Sequence, residues 1–330
     1  MNKPRISVIV PVKDTLPYFK KCYDSLVHQT CKDVEIVIID DASSQNIRDA
    51  IQASIGTPMR DIIYKKNSKS LGPGACRNLG LALSHGEYIA FCDSDDWVDL
   101  SSYKYICDYL DQSTTDIAMF SMKREYPYGT SERSNYLCYY DQIYTLTPEI
   151  AIRSMCGEYE DMGIKVASAC MNKVFRRDFL TQINARFEEN VYYQGTMFCV
   201  YTFLRANKID CLPRVTYHHF RRRGSIIQSF NSKHIHDFRV CCQTIKKYFS
   251  DLDKLDIYQS SLYRKCAYLF DLNMREIFQY VYNEEDRKFY IQQLLKECFE
   301  VVSPAEWLTY LDSETIRRHL QPGIDDTSLY

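Results

Sequence analysis

Apolar and β-branched residues gather in short runs through the first part of the chain, and segments with helical spacing separate them. Ile6 to Val10 is one such run, ended by Pro11, and Val34 to Ile39 is a second, ended by Asp40-Asp41. Neither alternates in polarity, so both predict parallel strands covered on two faces. Between them Tyr18, Phe19, Cys22, Tyr23, Leu26 and Val27 keep a helical period, which predicts a right-handed strand, crossover helix and strand unit. Ser43 and Ser44 are the expected caps of a helix reaching Ala53, Asp61 to Tyr64 predicts a third strand, and Gly74 to Leu83 a helix stopped by Gly86. Tyr88 to Cys92 is apolar throughout and predicts the central strand, with Asp93, Asp95 and Asp96 at its carboxyl end. Ligands of open α/β sheets bind at that end, and the alternation of elements over residues 6–96 implies a doubly wound sheet.

Beyond Trp97 the spacing of Tyr103, Ile106, Cys107 and Leu110 predicts a helix, and Ile117 to Met122 a strand. Glu125 to Tyr140 is polar and Tyr-rich, the pattern of a loop over a site or of two irregular strands. A helix restarts at Pro148, and Ala167 to Phe175 leads into Arg176, Arg177 and Asp178. Residues 237–300 carry two or three amphipathic helices, dense in Tyr, Phe, Lys and Asp, that form a helical appendage.

A chain of 330 residues exceeds one compact core, so more than one lobe is expected. Its 45% hydrophobic and 25% charged residues are those of an ordinary globular protein, and a net charge of −2 gives no sign of a nucleic-acid partner. Fourteen cysteines without Cys-x-x-Cys spacing, and no secretory leader ahead of Ile6, predict reduced thiols in a cytoplasmic protein. No apolar window approaches the roughly 18 residues of a bilayer span, so any membrane contact is expected to be peripheral.

Two carboxylates one residue apart, Asp93 and Asp95, can meet one hard cation. Mg²⁺ or Mn²⁺ on such a pair completes its shell with water and substrate phosphate, so a phosphate-bearing substrate is implied. From these residues alone, an acidic turn and helix cap is the alternative.

Four motifs stand in a fixed order: Val8-Ile9-Val10-Pro11-Val12-Lys13-Asp14, Asp40-Asp41-Ala42-Ser43, Gly74-Ala75-Cys76-Arg77-Asn78-Leu79-Gly80 and Asp93-Ser94-Asp95-Asp96. With them, residues 4–230 resemble the inverting glycosyltransferases of family 2. The resemblance implies a GT-A fold, a Rossmann-like, doubly wound and mostly parallel sheet with a C-terminal helical appendage. It implies a division into a nucleotide-sugar-binding half (1–115), an acceptor-binding half (116–235) and a helical region (236–330). The implied reaction moves a sugar from a nucleotide-diphosphate donor to a glycan or lipid-linked acceptor with inversion, as in bacterial surface polysaccharide synthesis.

The resemblance also assigns roles. Asp41 should accept hydrogen bonds from the base or ribose, with Pro11, Val12, Lys13 and Asp14 shaping the pocket and Arg77 reaching the base or a phosphate. Asp93 and Ser94 lie with the nucleotide sugar, and Asp93 and Asp95 look like the metal pair for Mn²⁺ or Mg²⁺. Lys173, in Asn172-Lys173-Val174-Phe175, and Arg222 fall on the acceptor or phosphate side. His218, His219, Arg221, Arg222, Arg223 and Ser225 resemble a closing loop. Two adjacent histidines cannot share one face of a strand, so at most one is expected as an additional metal ligand, and within the resemblance His218 is the favoured one. The basic run from Arg214 to Lys247 is expected to face the acceptor side and an anionic surface.

The chain departs from that pattern twice. The first-strand loop has Lys13-Asp14 where the family has Tyr-Asn, so the aromatic face against the base is lost. Gln194-Gly195 stands where the family carries Glu-Asp, whose Asp is the general base. Neither an amide nor a glycine can take a proton. Either Glu189, Asp96, Glu160 or Asp161 substitutes, or the protein is a pseudo-glycosyltransferase that binds a nucleotide sugar or a partner without catalysis.

Overall fold

The computed structural model describes residues 3–54, 61–126, 136–159, 164–221, 230–303 and 305–306. Its first elements follow the alternation in the sequence: β1 (Ile6–Val12), α1 (Leu16–Val27), β2 (Val34–Asp40), α2 (Ile47–Ser54), β3 (Asp61–Lys66), α3 (Gly72–Leu83) and β4 (Tyr88–Phe91). The side chains of β1, β2 and β4 are buried on both faces apart from Pro11, as apolar runs without alternation require. Ser43 and Ser44 do not cap α2; the Asn46 side chain accepts from the Asp49 N–H at 3.2 Å, a few residues later than expected.

A short β5 (Trp97–Val98) and α4 (Ser102–Leu110) follow, then β6 (Ile117–Glu125), β7 (Tyr136–Cys138), β8 (Tyr144–Leu146), α5 (Pro148–Met155), β9 (Lys173–Arg176), α6 (Arg177–Gln182), α7 (Gln194–Phe203) and β10 (Ile209–Phe220). The strands form one sheet ordered β3-β2-β1-β4-β9-β6-β10-β5, with β7 on β6 and β8 on β10. Pairing is parallel from β3 to β4 and between β6 and β10; β9 runs antiparallel to β4 and β6. Antiparallel β9 therefore joins the doubly wound half to the rest of the sheet.

β10 overturns one expectation. His218 and His219, expected in a closing loop, lie in this long strand, paired with β6 and, at His218, with β5, while the expected loop residues Arg222, Arg223 and Ser225 lie outside the described residues. Pro213 and the register shifts between Leu212, Val215 and Tyr217 interrupt its period, which hides the strand in the sequence.

The chain divides into two compact units, one of residues 1–155 and 159–222, the other of 156–158 and 223–330. The second contains α8 (Ser232–Ser250), α9 (Leu255–Tyr280) and α10 (Glu284–Phe299). Their buried faces include Phe238, Cys242, Ile245, Leu262, Cys266, Leu269 and Leu294, and Asn231 and Asn283 cap α8 and α10. All 14 cysteines are buried free thiols. Among the described residues no helix is long and apolar enough to cross a membrane.

Helix α3 lies against β1 at a glycine. A Cβ on Gly80 would stand 2.3 Å from Ile9 Cγ2. Gly80→Ala is therefore expected to cost about 1–3 kcal/mol. Urea unfolding checks this, and pairing it with Ile9→Ala should cost less than the sum of the two single changes.

Candidate functional site

The carboxyl ends of β1, β2 and β4 carry three loops whose polar groups are tied to one another. The loop after β1 leans on the loop after β2: Lys13 Nζ donates to the Ala42 carbonyl at 2.9 Å, and Asp14 Oδ1 accepts from the Ser44 N–H and hydroxyl, both at 2.8 Å. Those bonds hold the Asp14 carboxyl below its usual range. Pro11 and Val12 form the base of this corner, Pro11 half-buried and Val12 buried.

Asp41 is 4% exposed and accepts from four donors: Asn67 Nδ2 at 2.9 Å, Ser70 Oγ at 2.7 Å, and the N–H groups of Leu71 at 2.8 Å and Gly72 at 2.9 Å. A carboxylate has about four lone-pair positions, and all are used. Burial raises its pKa, but these donors outweigh burial and bring it to about 2. The expected bonds from a base or ribose are thus replaced here by bonds from the chain; Asp41 holds the 67–72 loop and the start of α3. Asp40 beside it is fully buried and accepts from Tyr64 Oη at 2.7 Å and the Ser43 N–H at 2.8 Å. The run Asn67-Ser68-Lys69-Ser70 before α3 carries the signal for this loop in the sequence, since Asn and Ser favour turns and caps.

The turn after β4 is fixed from two sides. Ser94 Oγ meets Thr15 Oγ1 at 2.8 Å. Tyr217, on β10, accepts from the Asp93 N–H at 3.1 Å and donates to Asp96 Oδ2 at 2.6 Å. Asp96 also accepts from the Phe220 N–H at 2.7 Å and faces His219 Nδ1 at 3.2 Å, so both its oxygens are engaged and it is no substitute base. Burial opposes the charge on His219, and Asp96 more than offsets this, raising its pKa. Nothing in the sequence marked Tyr217, because the contact joins positions far apart in the chain.

Asp93 and Asp95 are the half-buried members of the cluster, and Asp93 Oδ1 accepts from Arg77 Nη2. The Arg77 guanidinium is buried over the Phe187 ring, 5.5 Å from its centroid. Among the described residues no group of three His, Cys, Asp or Glu side chains gathers as a metal centre. His218 is not the further ligand: its Nδ1 meets Glu125 Oε1 at 2.9 Å, its Nε2 meets Asp99 Oδ1 at 3.0 Å, and its ring stacks on Trp97. Both ring nitrogens thus face carboxylates of the chain.

Lys173 also departs from its expected place at an acceptor or phosphate. It is fully buried, and its ammonium donates to the carbonyls of Ala167 at 2.8 Å and Ala169 at 2.5 Å and to Asn172 Oδ1 at 2.8 Å. All three of its donors serve the chain. Of the remaining base candidates, exposed Glu189 accepts from Asn78 Nδ2 at 2.9 Å, while Glu160 and Asp161 lie outside the described residues. Gln194 and Gly195 open α7, beside Cys170.

The basic run expected to face an anionic surface is largely paired where it is described. Lys233 meets Asp237 at 2.7 Å, Lys247 meets Asp251 at 2.6 Å, Arg239 pairs with Glu297, and Arg214 donates to Ser101. Arg222, Arg223 and Ser225 lie outside the described residues.

The family model for glycosyl transferase family 2 matches residues 7–183. Glycosyltransferase GlyA of Streptococcus pneumoniae serotype 4 is 27% identical over 241 residues, 70% of this chain and 33% of GlyA, so the chain spans about a third of that relative. The crystal structure of Staphylococcus aureus TarS 1–349 in complex with UDP-GlcNAc matches with a TM-score of 0.60 at 17% identity, covering 95% of this chain and 92% of that one. The mannosyltransferase PcManGT of Pyrobaculum calidifontis, in complex with GDP-Man and Mn²⁺, matches with a TM-score of 0.50 at 13% identity, covering 97% and 88%.

The saturation of Asp41 sets a pH dependence. Its folded pKa, about 2, lies below the ordinary 3.8, so the stability it contributes is present above pH 4 and is lost as pH falls toward 2. Asp41→Asn should cost about 2 kcal/mol at pH 7, with the gap from the native chain narrowing below pH 4. Urea unfolding at pH 7 and pH 3 measures both values, and an equal gap at the two pH values would contradict the assignment.

Proposed function

Since the chain belongs to glycosyl transferase family 2, we propose that it moves a sugar from a nucleoside-diphosphate donor to an acceptor, with inversion, across the carboxyl ends of β1, β2 and β4. It is a transferase with the GT-A fold. The observation that carries the reading is the state of the Asp93–Asp96 turn. Its two half-buried carboxylates, Asp93 and Asp95, stand on a backbone already fixed by Tyr217 and Ser94, between loops already fixed by Asp14 and Asp41. Little ordering is left for a ligand to impose there.

The donor set fits a hard divalent cation: two half-buried carboxylates with one residue between them. Asp93 and Asp95 would hold Mg²⁺ or Mn²⁺, which when bound neutralises charge growing on the departing diphosphate. The Arg77 guanidinium orients Asp93. The nucleoside would lie against Pro11, Val12, Lys13 and the 67–72 loop, with Asp41 acting through that loop. TarS bound to UDP-GlcNAc and PcManGT bound to GDP-Man and Mn²⁺ support a nucleotide sugar and a divalent ion. TarS bears the name of a poly(ribitol-phosphate) β-N-acetylglucosaminyltransferase, which supports an acceptor in surface polysaccharide synthesis.

One observation favours a second reading. The first turn of α7 has no acidic residue, so the usual base is missing and the chain could bind a nucleotide sugar without transferring it. Release of nucleoside diphosphate in the presence of an acceptor mixture separates the two.

Asp95→Ala is expected to leave the melting temperature unchanged and to lower Mn²⁺-dependent binding of UDP or GDP by at least about tenfold. Isothermal titration with and without Mn²⁺ tests this. If the mutant binds as tightly as the native chain in Mn²⁺, the metal is held elsewhere.

A further inference from the structure

Strands β6 and β10 run parallel and end together, and their last residues carry polar side chains that sugar transfer as described above leaves unused. His219 on β10 is in register with Arg124 on β6. Register partners on parallel strands carry their side chains on one face of the sheet, and successive residues alternate between faces. His218 meets Glu125 and stacks on Trp97 on one side, so His219 and Arg124 share the other. There His219 Nδ1 stands 3.2 Å from Asp96, in the turn that carries Asp93 and Asp95. Arg124, His219 and Asp96 thus form one row from β6 to the candidate cation pair, at the carboxyl ends of parallel strands, where open α/β sheets bind ligands.

The two faces are unequally satisfied. On the His218 side Lys123 meets Glu125 at 3.4 Å and Glu125 meets the imidazole, so that side closes on itself. On the other, burial opposes a charge on His219 and Asp96 outweighs it, which balances that pair. Arg124 has no such counterpart. Its Nε is buried without a hydrogen-bond partner, and among the described residues no carboxylate pairs with its guanidinium. Tyr126, two positions on, holds a buried hydroxyl that also lacks a partner. Leaving buried guanidinium and phenol donors without an acceptor is costly, and an acceptor brought by a ligand removes that cost.

One positive charge without a counterpart calls for one negative charge, which disfavours the dianion of a phosphate monoester. Nε and one Nη of an arginine form a planar edge that matches the two oxygens of a carboxylate. A carboxylate hangs from its carrier by one bond and can reach a buried Nε end-on, whereas a phosphodiester is held by a bond on either side. A sugar that carries such a carboxylate is a hexuronate.

Resting on the sugar-transfer reading, we propose that Arg124, with Tyr126, binds the carboxylate of a hexuronate, in the donor sugar or in the acceptor glycan, and so determines which sugars the site takes. Neither residue takes part in the bond changes; both orient the sugar.

Isothermal titration of the full chain with Mn²⁺ compares UDP-glucuronate with UDP-glucose and GDP-mannuronate with GDP-mannose. In the presence of whichever of UDP and GDP binds, it then compares trigalacturonate with galactotriose. One charged sugar is expected to bind at least about tenfold more tightly than its neutral counterpart, and which pair shows this tells a donor source from an acceptor source. Arg124→Gln should bring the preference down to within about twofold while Arg124→Lys keeps part of it, and both should bind the free nucleotide as the native chain does, since it carries no sugar. Tyr126→Phe should cost about threefold for the charged sugar alone, a selectivity that a merely structural role would not produce. Should R124Q not fold, R124K and Y126F read the same preference. Nucleotide binding with no charged sugar favoured, or a preference that Arg124→Gln retains, would overturn the carboxylate site alone, as would a ribitol-phosphate oligomer whose binding depends on Arg124. Failure of both UDP and GDP to bind with Mn²⁺ would overturn the sugar-transfer reading with it.

Discussion

A carboxylate buried at the end of a parallel strand must be satisfied by the protein or remain exposed to solvent and ligand, and that constraint sorts the acidic residues of this site. Asp40, Asp41 and Asp96 are buried and spend their oxygens on internal donors. Asp93 and Asp95 are half-buried. Asp40 holds the turn after β2, Asp41 the 67–72 loop before α3 and Asp96 the turn after β4, the same turn that carries Asp93 and Asp95. Burial thus separates the carboxylates that brace the turns from the two that stay partly open.

The basic residues divide in the same way. Lys173 places its whole ammonium on backbone carbonyls and Asn172, fastening residues 167–172 beneath β9. His218 bridges Glu125 and Asp99, joining β6 to the segment after β5. Both resembled ligand-binding groups in the sequence, and both are satisfied by the chain. Arg77 differs because Asp93 uses one nitrogen of its fork and two stay buried without acceptors.

Tyr217 shows how the two halves of the sheet cooperate. Its hydroxyl bridges the Asp93 N–H and the Asp96 carboxylate, so the turn after β4 takes its shape from a strand at the far side of the sheet. Antiparallel β9 stands between β4 and β6, and β10 continues beyond, which lets β10 reach back over the end of β4. Geometry at the candidate cation pair therefore depends on residues more than a hundred positions away.

The sequence by itself determined the doubly wound half, because buried parallel strands and amphipathic helices leave periods that a local window can read: β1, β2, α3 and β4 lie where Ile6, Val34, Gly74 and Tyr88 announced them. It also placed the acidic cluster at a strand end, since that follows from the order of one apolar run and the residues after it. Tertiary structure decided which of those acids are spent on the chain itself, because burial and saturation depend on donors such as Asn67, Ser70 and Tyr217 supplied from other elements. It alone revealed β10, whose bulge near Pro213 erases the strand period, and it alone moved Lys173 and His218 from the ligand side to the scaffold. A side chain's type records what it can bond, and only the packed chain settles whether that capacity has already been used.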